Sequence, residues 1–240
     1  MREVFLIGAG FSKHVHDGML LTNELGAKAR TTIEPLYSLP PPLNFFTQKT
    51  SGTEDAELWL TYLAEHHPWL DEATNLSNRS LFLRYAAKMS EILNQATSNA
   101  VASSAEPPSW VDALVRRWHE NRSTVITMNY DTIIERIYRR VYAYSHVLDL
   151  YPGPLTQVES RTGNPFGSGK DVETMHLCKL HGSVNWYYSG HSDFSGEVIW
   201  CGNVSGWGKP NDEDLNSARN SSDLQPFLVP PTINKPGLYT

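Results

Sequence analysis

Four apolar residues, Val4-Phe5-Leu6-Ile7, lead directly into Gly8-Ala9-Gly10-Phe11-Ser12. A short apolar run closed by glycine reads as a strand buried on both faces, the usual state of a strand in a parallel sheet. Gly8 and Gly10 allow a tight turn and close approach of backbone to a pyrophosphate. A helix opening there would offer unpaired N–H groups to the same anion. The feature directs the chain toward an α/β, Rossmann-like architecture. It is not a complete G-x-G-x-x-G motif, because Lys13 stands where the third glycine would be. A hydride-transferring dehydrogenase is thereby disfavoured. A tight strand-to-helix turn without a ligand accounts for the same residues, so the turn alone does not define a site.

Two later segments share its grammar. Thr124-Val125-Ile126-Thr127-Met128 is β-branched and reads as a second core strand, followed at once by Asn129-Tyr130-Asp131. His176-Leu177-Cys178-Lys179-Leu180 reads as a third, followed by His181-Gly182-Ser183. In an open parallel sheet, ligands sit at the carboxyl ends of the strands, so three polar strand ends can converge on one crevice. Asn129 either caps the following helix or holds a ribose hydroxyl or a water. Asp131 is assigned first to capping or ring orientation and second to ligand contact. His181 ends its strand before a glycine and suits a general base near neutral pH. Gly182 and Ser183 share that strand end and are assigned to the ligand site. His14 and His16 read as solvated, and His66-His67 as the end of a helical stretch before Pro68.

Between the first two strands the chain is helical. Leu21, Leu25 and Ala29 recur every four residues over about 20–29, Pro40-Pro41-Pro42 breaks the chain, and 53–102 carries helical patterning almost throughout. A plain doubly wound domain returns to its second strand sooner. The stretch of about 31–108 therefore reads as a helical module inserted into the nucleotide-binding fold. Residues 102–108 read as a linker, 110–121 and 131–144 as helices, and Tyr151 to Lys170 as irregular. Trp186-Tyr187-Tyr188 and Val198-Ile199-Trp200 are expected to pair as strands, Asn203 to Asp223 to form a surface loop, and Phe227-Leu228-Val229 to add another strand.

Composition narrows the function classes. The 240 residues are 40% hydrophobic and 19% charged, enough for a sizeable core, and the net charge of −6 argues against a nucleic-acid binder. Cys178 and Cys201 form no C-x-x-C pair, and no histidines and carboxylates share metal-ligand spacing, so no metal is expected. No run approaches the roughly 18 apolar residues of a membrane span, and the first apolar run is too short for a signal peptide. A cytoplasmic protein without a membrane partner is expected.

Taken together, Gly8-Ala9-Gly10-Phe11-Ser12-Lys13, Thr127-Met128-Asn129-Tyr130-Asp131 and Lys179-Leu180-His181-Gly182-Ser183 resemble the sirtuin-like superfamily in content, order and spacing. More narrowly, the chain is similar to the sirtuin-like domains of bacterial antiphage defence systems, which hydrolyse NAD. Phe227-Leu228-Val229-Pro230-Pro231-Thr232 resembles a late segment of the same domains. The resemblance implies that Asn129 and His181 are the catalytic pair, and that Ala9, Gly10, Phe11 and Ser12 lie in the NAD-binding loop. It implies NAD as substrate, nicotinamide and ADP-ribose as products, and a homo-oligomer or larger defence complex with a fused or separate sensor. Protein-deacylating sirtuins carry two zinc-binding C-x-x-C pairs that this chain lacks, which counts against peptide deacylation. A non-catalytic module that binds NAD or ADP-ribose is the other reading. Related domains continue further than Thr240, so the chain is expected to be the N-terminal part of a longer protein.

Overall fold

The computed structural model describes residues 3–33, 55–102, 106–143, 146–152, 155–157, 173–188, 199–209 and 225–233. The expectations for Pro40-Pro41-Pro42, for 158–170 and for 210–223 fall outside them. The chain divides into two compact units, Met1–Met19 with Asn94–Leu228, and Leu20–Leu93 with Val229–Thr240. The helical unit thus begins and ends earlier than the expected 31–108 insertion, and it takes in a segment near the chain's end.

The first unit is a mixed α/β body built on a three-stranded parallel sheet. Its strands are β1 (Val4–Ile7), β2 (Thr124–Thr127) and β4 (His176–Lys179), in the order β1-β2-β4. The register runs from Val4↔Thr124↔His176 to Ile7↔Thr127↔Lys179, so all three strands end level. Alternation sets the two faces. Phe5, Val125 and Leu177 point to the side where α5 (Ser109–Glu120) packs, with Val111, Val115 and Trp118 buried along one helical stripe. Phe5 meets Trp118 at 5.6 Å between ring centroids. On the opposite face β1 is exposed, while β2 and β4 are partly covered. Val4 is 64% and Leu6 68% exposed, which corrects the expectation of a strand buried on both sides. β1 lies at the edge of this sheet, and alternate residues of it are left uncovered by the helices among the described residues.

Two short helices leave the strand ends. α1 (Ala9–Val15) follows β1, and α6 (Ile133–Val141) follows β2. In α6, residues Ile133 to Tyr138 are all buried, Glu135 and Arg136 included. A second, four-stranded sheet has the order β3-β6-β5-β7, with β3 (Leu155–Gln157), β5 (Gly182–Tyr188), β6 (Ile199–Cys201) and β7 (Gln225–Leu228). The expected pairing is realised between β5 and β6 as an antiparallel ladder, Trp186↔Cys201 and Tyr187↔Trp200, with Val198 outside the described residues. Two expectations are corrected here. Leu155–Gln157 is a strand parallel to β6 rather than irregular chain. Residues 203–209 are not a surface loop, since Val204 and Trp207 are buried. Arg136 and Arg139 donate to the Ser205 and Val204 carbonyls at 3.3 and 3.1 Å, which ties this polar-looking segment to α6.

The second unit is helical among its described residues. It contains α2 (Thr22–Ile33), α3 (Ala56–Ala64) and most of α4 (Glu72–Ala102). Leu25, Ala29 and Ile33 form the buried face of α2. Leu21, expected in that stripe, precedes the helix and is exposed. Asp55 caps α3 by accepting the Leu58 N–H at 3.2 Å. Trp59, Leu60 and Leu63 from α3, and Phe82, Tyr85 and Met89 from α4, make the core of this unit.

Candidate functional site

The level strand ends bring the three polar segments together. Adjacent strands lie about 4.8 Å apart, so residues following β1 and β4 stand within roughly 10 Å of each other on either side of those following β2. Backbone bonds carry the register past the last strand residues. The Met128 N–H donates to the Ile7 carbonyl at 3.3 Å, and the Leu180 N–H to the Thr127 carbonyl at 3.0 Å. Gly8, Gly10, Met128 and Leu180 are exposed there, so the strand ends are open to solvent.

The glycine turn is not required by the fold. Neither Gly8 nor Gly10 has positive φ, and a Cβ built at either would meet no protein atom within 4 Å. The space over both glycines is open. α1 is only seven residues long, so the attraction for an anion rests on backbone N–H groups rather than on a long helix dipole. Ala9 is half-buried. The Phe11 ring turns inward against Trp110 and Trp118, at 5.9 and 6.0 Å, so its backbone rather than its side chain faces the turn.

Asn129 is fixed by this turn. Its Nδ2 donates to the Gly8 carbonyl at 3.0 Å and to Ser12 Oγ at 2.9 Å. A backbone carbonyl can only accept, so the carboxamide orientation is determined: the NH2 group points at the turn. Both amide hydrogens are thereby committed. Oδ1, an acceptor, is left without a protein partner among the described residues. Ser12 is buried, and its hydroxyl passes the chain on to the Asp131 carboxylate. Asp131 Oδ1 also accepts the Ile133 N–H at 3.1 Å, so Asp131 turns the chain into α6 from one residue before its N-cap, Thr132. Burial pushes the Asp131 carboxyl up from its ordinary value, against the opposing pull of Lys179, Ser12 and the Ile133 N–H. Any stability it contributes is therefore fully present below the ordinary value and lost as pH rises through the raised one.

His181 sits in the turn joining β4 to β5, half-buried, with its ring 6.0 Å from that of Tyr130. The two residues after it serve the protein interior. Gly182 has φ +77°, and a Cβ there would stand 2.2 Å from the Phe227 carbonyl oxygen, so its identity is set by backbone packing. Ser183 is fully buried, and its hydroxyl donates to Asn185 Oδ1 at 2.6 Å, with the Tyr130 carbonyl 3.3 Å away. Both residues shape the His181 turn from behind. Of the remaining histidines, His14 is exposed against Trp110. His16 Nδ1 accepts the Gly18 N–H, and His67 is buried with its ring bonded to the Tyr62 carbonyl.

Sequence reasoning missed a buried polar network beneath these residues. The Lys179 ammonium meets Glu135 Oε1 at 2.9 Å with both side chains 1% exposed, and it donates to the Asp131 carbonyl at 2.5 Å. The Tyr151 hydroxyl donates to Glu135 Oε1 at 2.8 Å, and Asn185 Nδ2 to the Gly202 carbonyl at 2.9 Å. Burial, reinforced by the neighbouring Glu135, pushes the Tyr151 phenol well above its usual range, so it remains a neutral donor. One signal was available. Lys179 shares the inward face of its strand with Leu177, and Glu135 interrupts Ile133-Ile134-x-x-Ile137 on a helix. A lysine and a glutamate each at an apolar position invite pairing.

No protein-family model matches the chain, and no curated protein does. The described residues hold no group of three or more His, Cys, Asp or Glu side chains placed to bind a metal ion, and no helix among them is long and apolar enough to cross a membrane.

Proposed function

We propose that the chain is a sirtuin-like NAD hydrolase that cleaves the nicotinamide–ribose bond, with NAD as substrate and no metal. The observation that carries this reading is the bond from Asn129 Nδ2 to the Gly8 carbonyl. It joins the open glycine turn and the polar end of β2 into one unit and leaves Asn129 Oδ1 as an acceptor.

In the reaction, water adds to the anomeric carbon as the carbon–nitrogen bond breaks. NAD and water give nicotinamide, ADP-ribose and a proton. Nicotinamide leaves as a neutral ring from a cationic precursor, so its departure needs no acid. The transition state is oxocarbenium-like, as in glycoside cleavage. Asn129 Oδ1 accepts a hydrogen bond from a ribose hydroxyl or from the attacking water. His181 takes the proton released. The Gly8–Ser12 backbone takes the pyrophosphate. By the resemblance, the activity belongs to a toxic effector of antiphage defence, held off until an oligomer or a sensor module releases it.

The test is NAD turnover, with nicotinamide and ADP-ribose followed together, with and without an activating partner. Asn129→Ala and His181→Ala are each expected to lower kcat on the order of 100-fold or more. Two variants that keep wild-type turnover would overturn the assignment. NAD that binds tightly and is never cleaved would replace the hydrolase with a binding module.

A further inference from the structure

His181 occupies the middle of a short segment whose two ends grip the Asn129–Asp131 turn. Two residues before it, the Lys179 ammonium donates to the Asp131 carbonyl. Three residues after it, the Val184 N–H donates to the Tyr130 carbonyl at 2.9 Å, with the Ser183 hydroxyl oxygen 3.3 Å from the same carbonyl. The carbonyls of Tyr130 and Asp131 are thus tied to β4 and β5 on either side of the histidine. Lys179 is itself held from below by Glu135, which Tyr151 braces in turn. We propose that Lys179 is a positioning residue that sets the separation of His181 from Asn129 through the Asp131 carbonyl, with Glu135 aiming its ammonium.

This inference rests on the reading of Asn129 and His181 as the reacting pair. A buried ion pair by itself is weak evidence of any role beyond folding. What distinguishes Lys179 is its second bond, to the backbone of the turn that carries Asn129. Glu135 has no such bond. The two partners therefore separate under mutation. Glu135→Gln takes from the buried ammonium its carboxylate partner at 2.9 Å, leaving the Asp131 carboxylate as the charge it still feels, but keeps its donation to the Asp131 carbonyl. The double variant Lys179→Met/Glu135→Gln removes both charges together and loses that donation.

If Lys179 positions the site, stability and activity move in opposite order. Glu135→Gln is expected to unfold at a lower temperature than the double variant yet to retain the higher kcat. The double variant is expected to fold with a KM for NAD within about threefold of wild type and a kcat lower on the order of 100-fold, the usual penalty for a misplacement near 1 Å. A double variant with wild-type kcat, or a kcat that follows thermal stability across the set, overturns the proposal. Should Glu135→Gln fail to fold, the kcat and KM of the double variant decide alone. Should the wild-type protein release no nicotinamide, the function fails separately. Hydrogen exchange at the Ile133 and Val184 amides then decides the inference. Faster exchange there in the folded double variant, with β2 amides unchanged, supports it, and unchanged exchange overturns it.

Discussion

A Gly182→Ala protein is expected to lose roughly 2–5 kcal/mol of folding stability, out of the 5–15 kcal/mol typical of a domain. Two costs add. Gly182 adopts φ +77°, and a residue with a Cβ in that left-handed region pays about 1–2 kcal/mol. The same Cβ would stand 2.2 Å from the Phe227 carbonyl oxygen, with the Phe227 carbonyl carbon at 3.0 Å. Backbone atoms cannot swing aside as a flexible side chain does, so β7 must retreat from β5 at Gly182↔Leu228, where the two strands pair. Overpacking of this kind costs about 1–3 kcal/mol. Urea or thermal unfolding measures the loss. A midpoint unchanged from wild type would show that β7 does not approach β5 this closely. Any loss of NAD turnover in this variant should follow its unfolded fraction, because the glycine acts through the frame.

The glycine after His181 also shows what adjacency in sequence hides. Gly182 and Ser183 were assigned to the ligand because they follow a polar strand end. Both instead face inward, since β5 begins immediately and is buried from Gly182 through Tyr187. The three parallel strands were legible because each is a short β-forming run followed at once by small or polar residues. Which face of β1 is covered was not legible. Val4-Phe5-Leu6-Ile7 is apolar at every position, so its pattern carries no phase. Residues 203–209 read as a loop by composition, yet their burial depends on Arg136 and Arg139, more than 60 residues earlier in the chain. The Lys179–Glu135 pair spans 44 residues of sequence, beyond any local periodicity. The individual polar residues of the site were readable one at a time. The hydrogen bonds that bind Asn129 to the glycine turn depend on the fold.

The same substitution at Gly10 is expected to give the opposite signature. Gly10 lies inside α1 with negative φ, and its missing Cβ would meet nothing within 4 Å. Alanine is favoured over glycine in a helix by about 1 kcal/mol, so the folded protein should be as stable as wild type or slightly more so. If the open space over the turn is where the pyrophosphate lies, the added methyl group holds the ligand away from the backbone N–H groups. The ribose is then displaced from Asn129 Oδ1, whose own position is locked through Nδ2 to Gly8 and Ser12. A shift near 1 Å costs on the order of 100-fold in turnover. Calorimetric NAD binding and a thermal melt on one Gly10→Ala preparation give both quantities. A raised or unchanged midpoint with weakened NAD binding supports a ligand-facing turn. Unchanged midpoint and unchanged binding would leave the glycines as a bare strand-to-helix connection and remove the phosphate site from the proposal.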